Sequence, residues 1–597
     1  MIMRVVVGQT RLAHRSVLMA VLSAVLAWLS GCDSPPGPSG TDSSTASSQS
    51  AESTGDAAQR AFRFRDVAQE RGLVWTTTTA PLGQYRLPEI IGGGVGLVDV
   101  DNDNDLDVVL VPIGTADNSG PIGTAGDSQL RIALFRQEAS GRFSDVSAEA
   151  GLVIDGAGMG VAAGDVNNDG RVDLYISSTG RDRLFLNRGE GRFVDCTEVA
   201  QLGNPEWGVS SAFVDYDRDG WLDLVVVNYV DDQARVCAGL AGGSPDYCSP
   251  LLFPGTAIRL YRNETTLPGT LEPRFCDVSL SSGVGEKQAA GLGLLATDLT
   301  EDGLADLYIA NDQTANHFYV GQAEGRFLED AVASGCAVDQ FGRPQASMGV
   351  ACGDLDRDGR LDLVLTHLDG EYHTQYRGVG GGLFDDVSPD TGLAALSIPY
   401  TGFGVTLSDF DLDGDLDLAA AQGRVRRGEG LLPDATDFWA PYRQPQFLAR
   451  NERGTWQAVP EPNGLTERRA VGRGLAAGDI DNDGDVDLLV AFTGEQVGLY
   501  LNESPRLGHW VRVRVTDSRW GGRDAIGAVV TLEAGSEQWT AHVLPGQSYL
   551  STGDARVHVG VGSRTRIDAI EVRWPDGTTQ RFPGGPVDRQ YDLTRTP

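Results

Sequence analysis

The sequence predicts an all-β chain: a seven-bladed β-propeller with calcium-binding loops, followed by a small C-terminal β domain. Three observations predict it. An acidic nine-residue motif recurs seven times, starting at residues 99, 165, 215, 298, 354, 409 and 479. A strand that opens on an aromatic and continues into acids recurs at the same rhythm. The acidic motifs start 50 to 83 residues apart, too far for nine-residue β-rolls and right for four short strands with their loops. Glycine is 77 of 597 residues, an excess that supplies turns.

Residues 1–31 read as an export signal. Arg4, Arg11 and Arg15 precede an apolar run over 17–29, too short to span a bilayer and right for a secretory segment. The run ends in Leu29, Ser30, Gly31 and Cys32, which resembles a bacterial lipobox. That resemblance implies cleavage before Cys32 and lipidation of Cys32. Residues 32–59 are rich in Ser, Thr, Pro and Gly, cannot bury a core, and read as a flexible tether. The expectation is an exported chain, lipid-anchored to the cell envelope, with the leaflet left open. Lys and Arg total 48 against 83 Asp and Glu, a net charge of −35. That excludes a simple nucleic-acid binder and argues against docking on anionic headgroups. The membrane is therefore expected to be met through the N-terminal lipid only.

Residues 60–503 hold the repeats. Numbering each loop 1 to 9, the first offers Asp99, Asp101, Asp103 and Asp107, and the second Asp165, Asn167, Asp169 and Asp173. The third offers Asp215, Asp217, Asp219 and Asp223; the fourth, with Thr300 at position 3, offers Asp298, Asp302 and Asp306. The fifth has Asp354, Asp356, Asp358 and Asp362, and the sixth Asp409, Asp411, Asp413 and Asp417. The seventh has Asp479, Asp481, Asp483 and Asp487. Oxygens at positions 1, 3, 5 and 9, with glycine at position 6 for the sharp turn, suit Ca²⁺. Up to seven structural calcium ions are expected. Zinc would want His or Cys. An EF-hand would need a glutamate at position 12 and flanking helices; position 12 is apolar in all seven loops and lies in a β-rich run. Asn104 replaces the glycine of the first loop, which makes it, with the fourth, a weaker copy.

The aromatic strands fall at Phe143, Phe193, Phe275, Phe327, Phe384 and Trp456, with one more at Phe64, ahead of every acidic loop. No such strand follows the seventh loop. The Phe64 strand is therefore expected to complete the last blade and close the ring, which removes the exposed edge of an open array. Removal of 60–67 is expected to harm the ring far more than removal of 505–597.

The acidic loops join first and second strands, so the insertions at 228–258, 311–317, 367–376 and 423–446 lie on the opposite face. Ligands favour such decorated loops. Candidate ligand contacts there are Trp207, Tyr229, Asn311, Asp312, His317, His367, Tyr372 and His373.

The loops resemble FG-GAP or VCBS-type repeats. The tail, 505–597, carries His509 and Trp510, the run from Arg523 to Ala528, that from Gly546 to Ser551, and Ile570 to Gly577. It resembles the ASPIC/UnbV domain, and the combination is similar to that of the cartilage acidic protein family and its bacterial relatives. The resemblance implies a secreted, calcium-binding, non-enzymatic propeller and supplies no ligand. Cys237 and Cys248 flank one insertion and are expected to staple it; Cys336 with Cys352, and Cys196 with Cys276, are weaker pairings. The main expectation is a binding or adhesion module for a glycan or protein, with no catalytic residues. The alternatives are a calcium-dependent carbohydrate-active enzyme, with His367 and His373 the pair to watch, and an envelope scaffold.

Overall fold

The computed structural model describes residues 61–77, 83–113, 129–231, 235–238, 245–427 and 437–596. The signal, Cys32 and the tether expected over 1–59 lie outside the described residues. Among the described residues no helix is long and apolar enough to cross a membrane.

Between residues 64 and 502 the chain forms seven four-stranded antiparallel sheets. Blade 1 runs outward from Val95–Val98 through Asp107–Leu110 and Ala133–Gln137 to Phe143–Asp145. Blades 2 to 6 repeat that order, starting from Gly158–Gly164, Gly208–Val214, Gly291–Thr297, Val350–Gly353 and Gly402–Ser408. Blade 7 starts from Gly472–Gly478 and ends on Phe64–Asp66, which pairs with Gly498–Asn502 in the register Phe64↔Asn502 and Asp66↔Tyr500. Each innermost strand packs against those of its two neighbours, and Gly472–Gly478 returns to Val95–Val98, so the ring closes.

Local chemistry explains the repeat. Innermost strands converge on the axis and need small residues: a Cβ on Gly349 would sit 2.0 Å from the Phe403 carbonyl oxygen. Second strands are sandwiched between blades and buried on both faces, as in Asp223–Asn228. The acid that follows each outer aromatic turns the chain into the next blade. Asp145, Asp195 and Asp277 each accept the N–H two residues on, from Ser147, Thr197 and Ser279 at 2.9 Å.

Residues 505–596 fold as two four-stranded sheets around a valine-rich core. One sheet is centred on His509–Asp517, which pairs in parallel with Arg589–Arg595. Between Glu537–His542 and Val557–Gly562 the chain leaves this domain and enters the axis of the ring. There Ser548 and Val350 exchange backbone hydrogen bonds of 2.8 and 3.2 Å, and Thr552 N–H donates to the Val95 carbonyl at 3.0 Å. The Ser548 hydroxyl accepts from Val405 N–H and donates to the Leu475 carbonyl, both at 2.9 Å. Leu550 N–H donates to Ser210 Oγ at 3.2 Å, and the Leu550 carbonyl accepts from Val161 N–H at 3.2 Å. The segment therefore bonds six blades. Tyr549 is fully buried, donates to the Ile91 carbonyl at 2.7 Å and meets Phe403 edge-on at 5.0 Å.

The truncation of 505–597 carries a cost that the repeat pattern does not show. Polar backbone at the axis is satisfied by the tail, so removing 505–597 strips hydrogen bonds from the ring's own centre as well as removing a neighbour. Tyr549→Ala should destabilise the full chain by about 3–5 kcal/mol, the usual cost of deleting a buried aromatic. Tyr549→Phe should cost about 1 kcal/mol. Urea unfolding measures both, and a loss below about 1 kcal/mol for the alanine variant would show that the axis does not rely on this side chain.

Candidate metal centre

Each acidic loop is built by the same hydrogen bonds. The position-1 carboxylate accepts the N–H of position 6 at 2.7–3.1 Å in all seven loops. The position-9 carboxylate accepts the N–H of position 2 at 2.9–3.2 Å. Its other oxygen accepts an N–H from the end of its own blade's third strand at 2.7–3.0 Å. Position 9 thus ties the loop to the blade before any ion is considered.

Backbone geometry aims these donors. Position 6 is left-handed throughout, with φ from 73° at Asn104 to 97° at Gly414 and Gly484. Asparagine tolerates that region, so Asn104 does the glycine's work in the first loop. Position 4 is also left-handed in all seven, at φ of 56–65°, although it is Asn, Arg, Glu or Leu. Two left-handed residues in nine curl the chain around its own carboxylates. The four loops with Arg, Glu or Leu at position 4 each bear roughly 1–2 kcal/mol of backbone cost there.

The result gathers oxygen. Asp99, Asp101 and Asp107 bring three carboxylate oxygens within 4.8 Å of one another, as do Asp215, Asp217 and Asp223. So do Asp354, Asp356 and Asp358; Asp409, Asp411 and Asp417; and Asp479, Asp481 and Asp483. In the second loop Asn167 takes the place of an acid, and its buried side-chain oxygen has no hydrogen-bond donor. Asp101 Oδ1 and Asp215 Oδ1 are likewise buried without one. Acceptors turned inward and left unbonded are what a hard cation would fill. The donors are all oxygen, and they fit Ca²⁺.

Burial makes these carboxyls hard to ionise. Desolvation pushes Asp107 up to about 8 and Asp215 and Asp362 up to about 7. Asp173, Asp223, Asp417 and Asp487 rise well above the usual range for the same reason, with neighbouring carboxylates adding to it.

The loops are stitched to one another. Asn187 Nδ2 donates to the Val100 carbonyl in the loop of the preceding blade at 2.8 Å, and Asn263 Nδ2 to Val166 at 2.9 Å. Asn451 reaches Leu355 and Asn502 reaches Phe410, both at 2.9 Å, and Gln137 reaches Ile480 at 3.0 Å. Blades 4 and 5 have Gly321 and Gly378 at this place and make no such latch. The asparagines closing four of the apolar third strands were visible in the sequence; their partners were not.

The C-terminal domain sits on the same loops. Arg512 donates to Asp479 Oδ2 at 2.6 Å and to Asn482 Oδ1 at 2.9 Å, in a pair buried on both sides. Arg523 reaches Asn168 Oδ1 at 2.9 Å, Arg514 reaches Asn104 Oδ1 at 3.1 Å, and Arg573 reaches Asp298 Oδ2 at 2.9 Å. Trp520 packs on Gly220 and Trp510 on Gly484, where a Cβ would lie 1.9 and 2.0 Å from the indole rings. These two glycines serve a turn and a docked tryptophan at once. Nothing in the loop motif pointed to these six side chains.

The opposite face differs from the expectation. Trp207, Tyr229, Asn311, Asp312, His367, Tyr372 and His373 are buried, and only His317 is half-buried. The second-to-third-strand turns fold inward and spend their polar groups on each other. Tyr229 OH donates to Asp312 at 2.7 Å, Tyr372 OH to Asp386 at 2.9 Å, and Asn311 Nδ2 to the Ala315 carbonyl at 2.7 Å. His367 N–H donates to His373 Nδ1 at 3.2 Å. Desolvation drives His367 well below its usual value, His373 down to about 3 and His317 down to about 4. The insertions interlock: Tyr442 OH donates to Asp246 at 2.9 Å, and Arg427 lies over the Tyr85 ring at 5.3 Å. Cys237 and Cys248 form a disulfide within one of them. Cys196, Cys276, Cys336 and Cys352 are free thiols, so neither weaker pairing forms.

Residues 519–597 match the family model described as ASPIC and UnbV. Residues 99–176, 165–226 and 298–365 match the FG-GAP-like repeat. The chain therefore carries FG-GAP-like repeats and an ASPIC and UnbV domain. Curated relatives include cartilage acidic protein 1 of Mus musculus, 26% identical over 310 residues that are 50% of this chain and 44% of the relative. The Homo sapiens protein of that name is 25% identical over 310 residues, 50% of this chain and 43% of the relative. The chain thus spans less than half the length of the curated relatives it matches. Among solved structures, an Agrocybe aegerita lectin that recognises non-reducing terminal N-acetylglucosamine is 15% identical, covering 62% of this chain and 83% of that one at a TM-score of 0.36. The BP39L lectin of Burkholderia pseudomallei is 12% identical, covering 69% and 99% at a TM-score of 0.37.

The two kinds of loop carboxylate should separate by mutation. Asp362→Ala orphans the N–H groups of Leu355 and Gly378, and should cost about 2–4 kcal/mol with or without divalent cation. Asp356→Ala should cost stability only when cation is present. Melts of both variants in EDTA and in calcium check this; equal losses in EDTA would refute the division of labour. A pH effect follows as well. Without cation, Asp107, Asp215 and Asp362 stay protonated in the native chain near pH 6 but ionise in the unfolded chain near pH 4. Their contribution is complete below pH 4 and is lost as pH rises through 7 to 8. Stability against unfolding in EDTA should therefore fall from pH 5 to 8, and calcium should abolish that slope.

Proposed function

We propose that the chain is a calcium-binding extracytoplasmic propeller, lipid-anchored to the cell envelope, that serves as a binding or adhesion module for a glycan or protein rather than as an enzyme. The observation that carries this is the set of oxygen-lined loops around one face, with buried acceptors turned into them. Calcium there would neutralise carboxylates that blade packing has already desolvated. Its role would be structural: the ions would sit beside bonds that join loop to blade and, in several loops, to the C-terminal domain. The lipobox-like run through Cys32 supports the anchor, and the resemblance to a secreted, non-enzymatic family supports a binding role. His367 and His373, the pair that would favour catalysis, are enclosed in blade 5 and neutral, which argues against their use as acid and base.

Under this reading the partner meets the face opposite the loops. There Tyr85 and Phe438 are half-exposed, with rings 5.6 Å apart, and Arg427 stands over Tyr85. A ring pair with a guanidinium suits stacking on a sugar or on a protein's aromatic side chain.

Chelation should lower the melting temperature of the full chain by several degrees, since each ion at a hundredfold excess over its Kd contributes about 2.7 kcal/mol. An unchanged melt in EDTA would sink the calcium claim. The full chain in calcium, incubated with a panel of polysaccharides, tests the rest. Retention without new reducing or unsaturated ends supports a glycan-binding module. New ends would make it an enzyme. Neither signal, with envelope proteins retained in a calcium-dependent pull-down, supports a protein partner.

A further inference from the structure

The fourth loop departs from its six siblings in ways that add up. Position 3 is Thr300, so the loop holds only Asp298, Asp302 and Asp306 at the ligand positions. Without a side-chain carboxylate there, the backbone of position 3 turns inward. Thr300 N–H donates to Asp306 Oδ2 at 2.9 Å, beside the Leu299 N–H at 2.9 Å. Both lone pairs of that oxygen are then used, and Asp306 Oδ1 accepts from Gly321 at 2.7 Å. In the other loops the corresponding oxygen takes the position-2 N–H. Asp298 Oδ2 is likewise taken twice, by Gly303 N–H at 3.0 Å and by Arg573 Nη1 at 2.9 Å.

Two buried oxygens of this loop have no hydrogen-bond partner, Asp298 Oδ1 and Thr300 Oγ1. One is an acceptor and the other a hydroxyl that can donate. That pair suits a water molecule, which donates to the first and accepts from the second. The blade 5 latch that would hold this loop is also missing, as it is for the third loop, since Gly378 stands where five blades have an amide side chain.

Resting on the calcium reading above, we propose that the fourth loop is not a metal loop: the guanidinium of Arg573, from the C-terminal domain, is its resident cation. The contrast with the seventh loop sets the condition. Arg512 grips Asp479 in the same manner, yet Asp479, Asp481 and Asp483 still gather three carboxylate oxygens there. An arginine alone does not close a loop to metal. An arginine together with the loss of the third-position acid, and a ninth-position carboxylate saturated by backbone, does. The C-terminal domain then does for blade 4 what calcium does for its neighbours, a fixed charge in place of an exchangeable one.

Crystals of the full chain grown with Sr²⁺ in place of Ca²⁺, read by anomalous scattering, test this. The expected map has peaks in the five three-carboxylate loops and none between Asp298 and Asp306. A peak there as strong as the others overturns the inference while leaving the calcium reading intact. No peak in any loop overturns both. The double variant Thr300→Asp with Arg573→Gln should gain a peak in the fourth loop and bind one more ion per chain in equilibrium dialysis. If it folds and gains none, the inference also fails. Should it not fold, the wild-type map decides alone.

Discussion

The ninth aspartate of each loop is the contact on which the ring depends. Asp107, Asp173, Asp223, Asp306, Asp362, Asp417 and Asp487 open the second strand of their blades and are buried. Each spends one oxygen on the start of its own loop and the other on the far end of the third strand. The first three strands of a blade are thereby pinned at one end by a single side chain. That side chain is a carboxylate in a place where charge is poorly solvated, and this debt shapes the rest of the molecule.

Three devices answer it. Acidic positions 1, 3 and 5 surround the buried carboxylate and, with a divalent ion, turn repulsion into coordination. Left-handed residues at positions 4 and 6 bring backbone N–H groups inward, so each loop carries donors of its own. Arginines from the C-terminal domain then reach the loop rims. This domain is therefore electrostatically complementary to the most acidic surface of a chain with a net charge of −35. Its axial segment completes the arrangement by hydrogen-bonding innermost strands that would otherwise line an open channel. Fold and charge balance are one problem here, solved jointly by two segments far apart in sequence.

Much of this was legible in the residues. Seven acidic loops followed by short continuous apolar runs carry the signal of strands buried on both faces and the spacing of blades. The stray Phe64 strand ahead of the first loop pointed to its pairing with Gly498–Asn502. The latch asparagines could have been read, because Asn187, Asn263, Asn451 and Asn502 each close an apolar strand. What stayed hidden was long-range. Gly546 to Ser551 could be matched to a family, but no local pattern says that Leu550 sits on an axis 340 residues from its partner Ser210 in blade 3. Position 4 of the loops was hidden for another reason: Arg218, Leu412 and Glu301 adopt a conformation that their chemistry disfavours and the surrounding bonds impose. The ligand-face residues misled because polar and aromatic side chains in an insertion look alike whether they face a partner or each other.

The two faces of the ring cannot be equivalent binding surfaces. On the loop side, the carboxylates of Asp298 and Asp479, the glycines Gly220 and Gly484 and the axial opening are engaged by the arginines, tryptophans and inserted segment of the C-terminal domain. A partner arriving there would first have to displace buried ion pairs such as Arg512 with Asp479, and breaking one partner of such a pair costs several kcal/mol. On the far side the insertions are also locked, to one another through Asp246 and Tyr442 and, within one of them, by a disulfide. Locking leaves their outer rings, Tyr85 and Phe438, held in place and partly open to solvent. A rigid aromatic surface loses little entropy on binding. The same packing that removed His367, His373 and Tyr229 from the list of contacts therefore leaves the far face better suited to recognition than free loops would be.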